Sequence, residues 1–141
     1  MAQRTVFLDT SFIIALENKA DPHHERAKAL DAELLAEDAV LLFHWGILLE
    51  IADGYARLNR RAKGVRLLDR FEQETCDELF PVSDSILADA QDLYRARTDK
   101  EWGLTDCVSF VLMAELQLSD ALTADVHFRQ AGFTALLLET P

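Results

Sequence analysis

Residues 5–8 read Thr-Val-Phe-Leu and are followed at once by Asp9. A compact run of β-branched, aromatic and aliphatic residues, too short for a helix, has the pattern of a strand buried on both faces. Such strands belong to parallel sheets covered by helices on each side. This one stretch therefore points to the α/β class. It also places a carboxylate where a parallel strand runs out, and open α/β sheets bind ligands in the crevice beyond the carboxyl ends of their strands.

The remaining chain alternates as that reading requires. Thr10 or Ser11 caps a helix through Leu16 that ends near Asn18. The Asp21-Pro22 pair opens a second helix, with Ala27, Leu30, Leu34 and Leu35 at helical spacing. Residues 39–43 form a second strand and 45–59 a helix whose buried stripe is Trp45, Leu48, Leu49 and Ala52. Gly46, Glu50, Asp53, Gly54 and Arg57 share another face of it. Those glycines each cost about 1 kcal/mol relative to Ala in a helix interior, which fits a face that something must approach closely.

Residues 60–76 make an amphipathic helix with Val65, Leu67, Leu68 and Phe71 inward, and 79–82 a third strand. Ser83 caps a helix running through Tyr94. Thr105 opens a helix over 106–118 that is apolar nearly all round and so buried. A fourth strand at 120–123, a short helix at 125–131 and a last strand at 134–138 complete the series. Right-handed crossovers then give a three-layer α/β/α fold around a parallel sheet of four to five strands. At 141 residues and 50% hydrophobic content the expectation is one domain over 1–141.

Three further acids join Asp9 in this scheme. Asp106 and Asp125 stand at helix starts, Asp125 directly after a strand, and Glu50 lies in the first two turns of the helix after the second strand. All four are thus expected at the same sheet edge. Singly, each has a plain structural role as a turn residue, helix cap or solvated side chain. Together they would repel one another, and a hard divalent cation, Mg²⁺ or Mn²⁺, relieves that repulsion. Such a site suits phosphodiester hydrolysis. The hydroxyls of Thr10, Ser11, Thr105 and Thr123 are expected to orient the carboxylates.

The stretches LDTSFIIAL (8–16), LLEIADGYAR around Glu50, WGLTDCVSF (102–110) and ALTADVHFRQAGF (121–133) resemble those of the PIN-domain ribonucleases. Within that family they resemble the VapC-type toxins of toxin–antitoxin pairs. The resemblance implies a Mg²⁺- or Mn²⁺-dependent endoribonuclease with Asp9, Glu50, Asp106 and Asp125 as its acidic positions and Ser11 as an accessory hydroxyl. It also implies a homodimer and a protein antitoxin whose basic side chain enters the acidic cleft. One departure is the His-Trp-Gly before the Glu50 helix, where a more Thr- or Ser-rich approach is expected.

A charge of −11, from 25 acidic against 14 basic residues, repels nucleic acid at long range, so RNA contact must be local. Arg57, Arg60, Arg61, Lys63, Arg66 and Arg70 cluster in one stretch. Arg57, Arg60, Arg61 and Arg129 are the candidate phosphate contacts, set against the plain reading of a solvated helix face. His127 is a lesser candidate for acid–base work, and Trp102 is read as a hydrophobic plug. Cys76 and Cys107 have neither metal-ligand spacing nor the number of a disulfide framework, which fits a reducing cytosol. No apolar run approaches the length needed to cross a membrane.

Covalent phosphoryl transfer through Asp9, as in haloacid-dehalogenase-type phosphatases, is disfavoured because Ser11 stands where a second Asp is needed. A non-catalytic binding module on the same scaffold is disfavoured by the intact acids. A PIN nuclease of RNA processing that is not a toxin remains the alternative.

Overall fold

A computed structural model describes residues 3–73 and 77–140. Five parallel strands form one sheet in the order β3-β2-β1-β4-β5. They are β1 (Thr5–Leu8), β2 (Val40–His44), β3 (Asp77–Phe80), β4 (Asp120–Leu122) and β5 (Thr134–Ala135). Between them run α1 (Thr10–Glu17), α2 (His24–Ala36), α3 (Trp45–Gly54), α4 (Arg61–Gln73), α5 (Asp84–Ala96), α6 (Leu104–Glu115) and α7 (Val126–Gln130). The sheet is central, as the buried first strand requires: Val6, Phe7 and Leu8 have no exposed surface.

β1 pairs with β2 through Phe7 opposite Leu42, and with β4 through Leu8 opposite Leu122. The chain leaves β1 toward β2 and leaves β4 toward β5, so adjacent strands part in opposite directions. That is a topological switch point, and the crevice beyond the ends of β1 and β4 is where such sheets place their ligands. Asp9 and Thr123 are the first residues past those two ends.

An aromatic row supports this edge. Phe7 meets Phe128 at 6.0 Å between ring centroids, Phe128 meets Phe110 edge-on at 5.0 Å, and Phe110 meets Trp102 at 5.0 Å. Trp102 is buried, with its indole N–H donated to Gln130 Oε1, and serves as the plug expected of it. On α6, Cys107, Val108, Ser109, Phe110, Leu112 and Met113 are all buried, as its apolar circumference requires.

Several boundaries differ from the sequence expectations. α1 is capped by Asp9, not by Thr10 or Ser11. α2 begins at His24, after Asp21 Oδ1 has accepted the His23 N–H. α6 starts after Gly103 instead of at Thr105. β3 lies two residues earlier than expected, and the last strand stops after Ala135. Leu136–Leu138 then form a 3₁₀ turn that buries Leu136 and Leu137 and lets the Leu137 N–H reach the Thr123 carbonyl. The end of the expected helix at 74–76, with Cys76, lies outside the described residues; Cys107 is a free, buried thiol.

α3 carries the largest correction. It stops at Gly54, and its inward stripe is Ile47 and Ile51, continued past the helix end by Tyr55. Trp45 is 49% and Leu49 63% exposed. Both stripes satisfy helical spacing on a helix with apolar residues on most sides, so periodicity alone could not select between them. Val65 of α4 is likewise exposed, while Leu67 and Phe71 point inward.

Candidate active site

Asp9 is a buried carboxylate, 8% exposed, at the N-cap of α1. Its Oδ2 accepts from Thr123 Oγ1 at 2.7 Å, from Ser11 Oγ at 2.8 Å and from the Ser11 N–H at 3.4 Å. The two hydroxyls also touch each other at 3.1 Å. Ser11 Oγ accepts the Ala124 N–H, and Thr123 Oγ1 accepts the Asp125 N–H. One network thus joins the ends of β1 and β4 and fixes both Asp9 and the backbone of Asp125. Asp125 caps α7, its Oδ1 accepting the His127 N–H at 2.9 Å.

Asp106 sits in the first turn of α6, where Oδ2 accepts the Gly103 N–H at 3.1 Å. The imidazole of His127 lies between the two aspartates, with Nδ1 3.4 Å from Asp106 Oδ2 and 3.3 Å from Asp125 Oδ1. That buried Nδ1 has no hydrogen bond of good geometry among the described residues. Glu50 stands at the open side of the cleft, with Thr10 Oγ1 3.5 Å from its Oε1. Thr10 and Glu50 line a cavity of about 190 Å³ with Ile13, Ile51, Tyr55 and Arg60.

The carboxylates interact. Desolvation, followed by Asp9 and Asp106, pushes Glu50 up to about 7. Asp9 is raised by burial, against the opposing hydrogen bonds of Thr123 and Ser11, and Asp125 adds to the rise. Asp106 is raised by burial first, with Asp125 also raising it and the Gly103 N–H and His127 opposing. Each of the three therefore feels at least one of the other acids. An oxygen of Asp106, an oxygen of Asp125 and a ring nitrogen of His127 lie within 4.8 Å of one another. A donor set dominated by hard carboxylate oxygens, with an unpartnered nitrogen beside them, fits a divalent cation of the Mg²⁺ or Mn²⁺ type.

The structure brings Asp9, Asp106, Asp125 and Glu50 to one edge, with Ser11 and Thr123 in contact with Asp9. Thr105 differs from its expected part: its hydroxyl bonds none of the four acids among the described residues. Instead its carbonyl accepts the Ser109 hydroxyl. His127 was underweighted by sequence reading; the Asp-x-His spacing at a helix start was the available signal, since a capping carboxylate at Asp125 draws the ring two residues on toward it.

The arginines divide. Because α3 ends at Gly54, Arg57 is not on the face of Glu50. Arg60 donates to the Gly54 carbonyl and lies over the Tyr55 ring, while Arg61 donates twice to the Ala56 carbonyl. Arg129 is bound to the Leu138 carbonyl and Glu139. Only Arg60 shares a cavity with Glu50 among the cavities described.

Comparison with known proteins agrees with this geometry. The chain is 27% identical over 132 residues to the 23S rRNA-specific endonuclease VapC20 of Mycobacterium tuberculosis, covering 91% of this chain and 95% of that protein. The crystal structure of VapC20, described as a Sarcin-Ricin loop cleaving toxin, superposes with a TM-score of 0.79 at 25% identity, over 92% of this chain and 96% of the other. FitAcB from Neisseria gonorrhoeae shares the fold, with a TM-score of 0.66 at 22% identity over 92% and 95% of the two chains. The PIN domain profile matches residues 6–134, from the second residue of β1 to the first of β5, and this chain belongs to the PIN domain family.

Proposed function

We propose that the chain is a metal-dependent endoribonuclease and the toxin of a toxin–antitoxin pair. The observation that carries the reading is the convergence of four acids, three with raised proton affinity, on the switch point of a PIN fold. Asp9, Asp106, Asp125 and Glu50 hold the cation, with His127 beside Asp106 and Asp125. When bound, Mg²⁺ or Mn²⁺ supplies the activation of water and the stabilisation of the attacking and leaving oxygens of the phosphodiester.

The chain's own residues do the rest. Ser11 and Thr123 fix the Asp9 carboxylate in one orientation. Glu50, at the open side, faces the entering strand. Arg60, which lines the same cavity as Glu50, lies where it can meet a phosphate. The likeness to VapC20 makes a looped segment of ribosomal RNA the first substrate to test, and unstacked nucleotides bend into a cleft more readily than duplex ones.

The resemblance to the toxins of toxin–antitoxin pairs points to an antitoxin protein and a second copy of the chain as partners, in the cytoplasm. Trp45 and Leu49, exposed one turn apart on α3, offer apolar surface for such contacts. No helix among the described residues is long and apolar enough to cross a membrane.

The test is cleavage of ribosomal RNA by purified protein with Mg²⁺, with Mn²⁺ and with chelator. Specific cuts with either metal and none in chelator are expected. Full cleavage in chelator would overturn the metal assignment, and no cleavage under any condition would overturn the ribonuclease reading.

A further inference from the structure

His44, the last residue of β2, is 1% exposed, and both of its ring nitrogens are bonded. Nδ1 lies 2.9 Å from the backbone N of Gly46 and caps α3. A backbone N–H can only donate, so Nδ1 is the acceptor and Nε2 carries the proton. Nε2–H is then donated across 65 positions of sequence to Ser109 Oγ of α6 at 2.9 Å. The Ser109 hydroxyl in turn donates to the Thr105 carbonyl at 3.1 Å. The chain of bonds has one direction throughout: Gly46 N–H to His44, His44 to Ser109, Ser109 to Thr105.

Its two ends are the helices that carry Glu50 and Asp106. Gly46 stands in the first turn of α3, four residues before Glu50, and Thr105 immediately precedes Asp106. Space is tight there as well. A Cβ on Gly46 would lie 2.6 Å from His44 Cε1 and 3.2 Å from Thr105 Cγ2, so only glycine lets the imidazole and α6 come this close. A Ser, Thr or Asp at position 44 would cap α3 equally well, but none of them offers a cap acceptor and, further out, a donor toward Ser109.

We infer that His44 is a positioning residue for the acid site: its imidazole holds the helix of Glu50 against the first turn of α6, and so sets the spacing of Glu50 and Asp106. The inference rests on the ribonuclease reading above for its activity arm alone. His44 touches neither substrate nor cation; it acts through the two carboxylates.

Two substitutions separate capping from bridging. In His44→Asn the amide oxygen takes the place of Nδ1, keeping the cap and losing the reach to Ser109. In His44→Gln the amide nitrogen takes the place of Nε2, keeping the bridge and weakening the cap. The expected result is a kcat about 10-fold lower for His44→Asn, with KM for RNA within about twofold. His44→Gln should stay within about threefold of wild type even if it melts at a lower temperature.

Ser109→Ala should act in the same direction as His44→Asn, and the double variant should be no worse than the weaker of the two, since both remove the His44–Ser109 bond. Calorimetric titration of Mn²⁺ should rank the proteins in the same order without RNA present. If His44→Asn and Ser109→Ala fold, melt well above the assay temperature and keep wild-type kcat and Mn²⁺ affinity, the inference is overturned. If wild type itself cuts no RNA while the Mn²⁺ ranking holds, the ribonuclease reading fails and the positioning role stands. Nitrogen-15 shifts of His44 in the wild-type protein give an independent check: a protonated Nδ1 would overturn the bond directions and with them the bridge.

Discussion

The acid site has two halves built differently. Asp9 and Asp125 stand one and three residues past the ends of two paired strands, and apart from the His127 ring beside Asp125 they are held by hydroxyls and backbone N–H groups from residues one or two positions away or on the neighbouring strand. Glu50 and Asp106 sit on α3 and α6, and their relative placement depends on packing between helices far apart in sequence, joined through His44 and Ser109. A strand end places a carboxylate by local geometry. A helix places one only when the helix itself is held.

The largest expected effects come from the acids. Asp9→Asn and Asp106→Asn should each reduce RNA cleavage to background with the circular dichroism spectrum unchanged. Because like-charge repulsion is removed, the metal-free proteins should melt no lower than wild type. A metal-free Asp9→Asn protein melting well below wild type would return that residue to the role of a helix cap.

Next in size are the supports of the strand half. Thr123→Ala removes the shortest bond to a buried carboxylate, and should lower stability by roughly 1–3 kcal/mol and cleavage about 10-fold or more, read by chemical denaturation and initial rates. Ser11→Ala should act in the same direction. The two will not add, because both hydroxyls bind the same Asp9 oxygen and each other.

pH separates two groups of the helix half by sign. Glu50 has its proton affinity raised in the fold, to about 7. The folded metal-free protein thus binds a proton that the unfolded chain has released, and this group makes it more stable as pH falls from 7 toward 5. His44 does the reverse: burial, opposed by the nearby Thr105 backbone, pushes it down to about 4. The unfolded chain then takes the proton first, and this group removes about 1 kcal/mol between pH 7 and 5.5. Glu50→Gln should remove the first trend and His44→Asn the second, so their denaturation profiles should diverge on acidification. Parallel profiles would show that one of the two environments is misassigned.

The same division decided what the sequence could tell. The apolar run 5–8 ending in Asp9, and Asp120 to Leu122 leading to Asp125, fixed those acids once the sheet was recognised as parallel. The Glu50 helix was harder. Its apolar residues cover most of its circumference, so periodicity fitted Trp45 and Leu49 inward as well as Ile47 and Ile51, and only the docked sheet and α6 decide between them.

Gly46 and Gly54 looked alike as small residues on one helix face. One makes room for an imidazole and a threonine methyl, whereas the other has nothing within 4 Å of the Cβ it lacks and ends the helix. His44 was visible only as a departure from an expected Thr or Ser. Its meaning lies in Ser109, 65 residues away, which no local pattern connects to it.

The central claim is that both halves make one cation site. Calorimetric titration of Mn²⁺ into wild type and into the Asp9→Asn, Glu50→Gln, Asp106→Asn and Asp125→Asn variants tests it without RNA or partner. The account predicts saturable binding to wild type and a loss of at least about 10-fold in affinity in every variant, whichever half it comes from. Wild-type affinity in Glu50→Gln and Asp106→Asn alongside its loss in Asp9→Asn and Asp125→Asn would contradict it, leaving a strand-end site to which the helices contribute nothing.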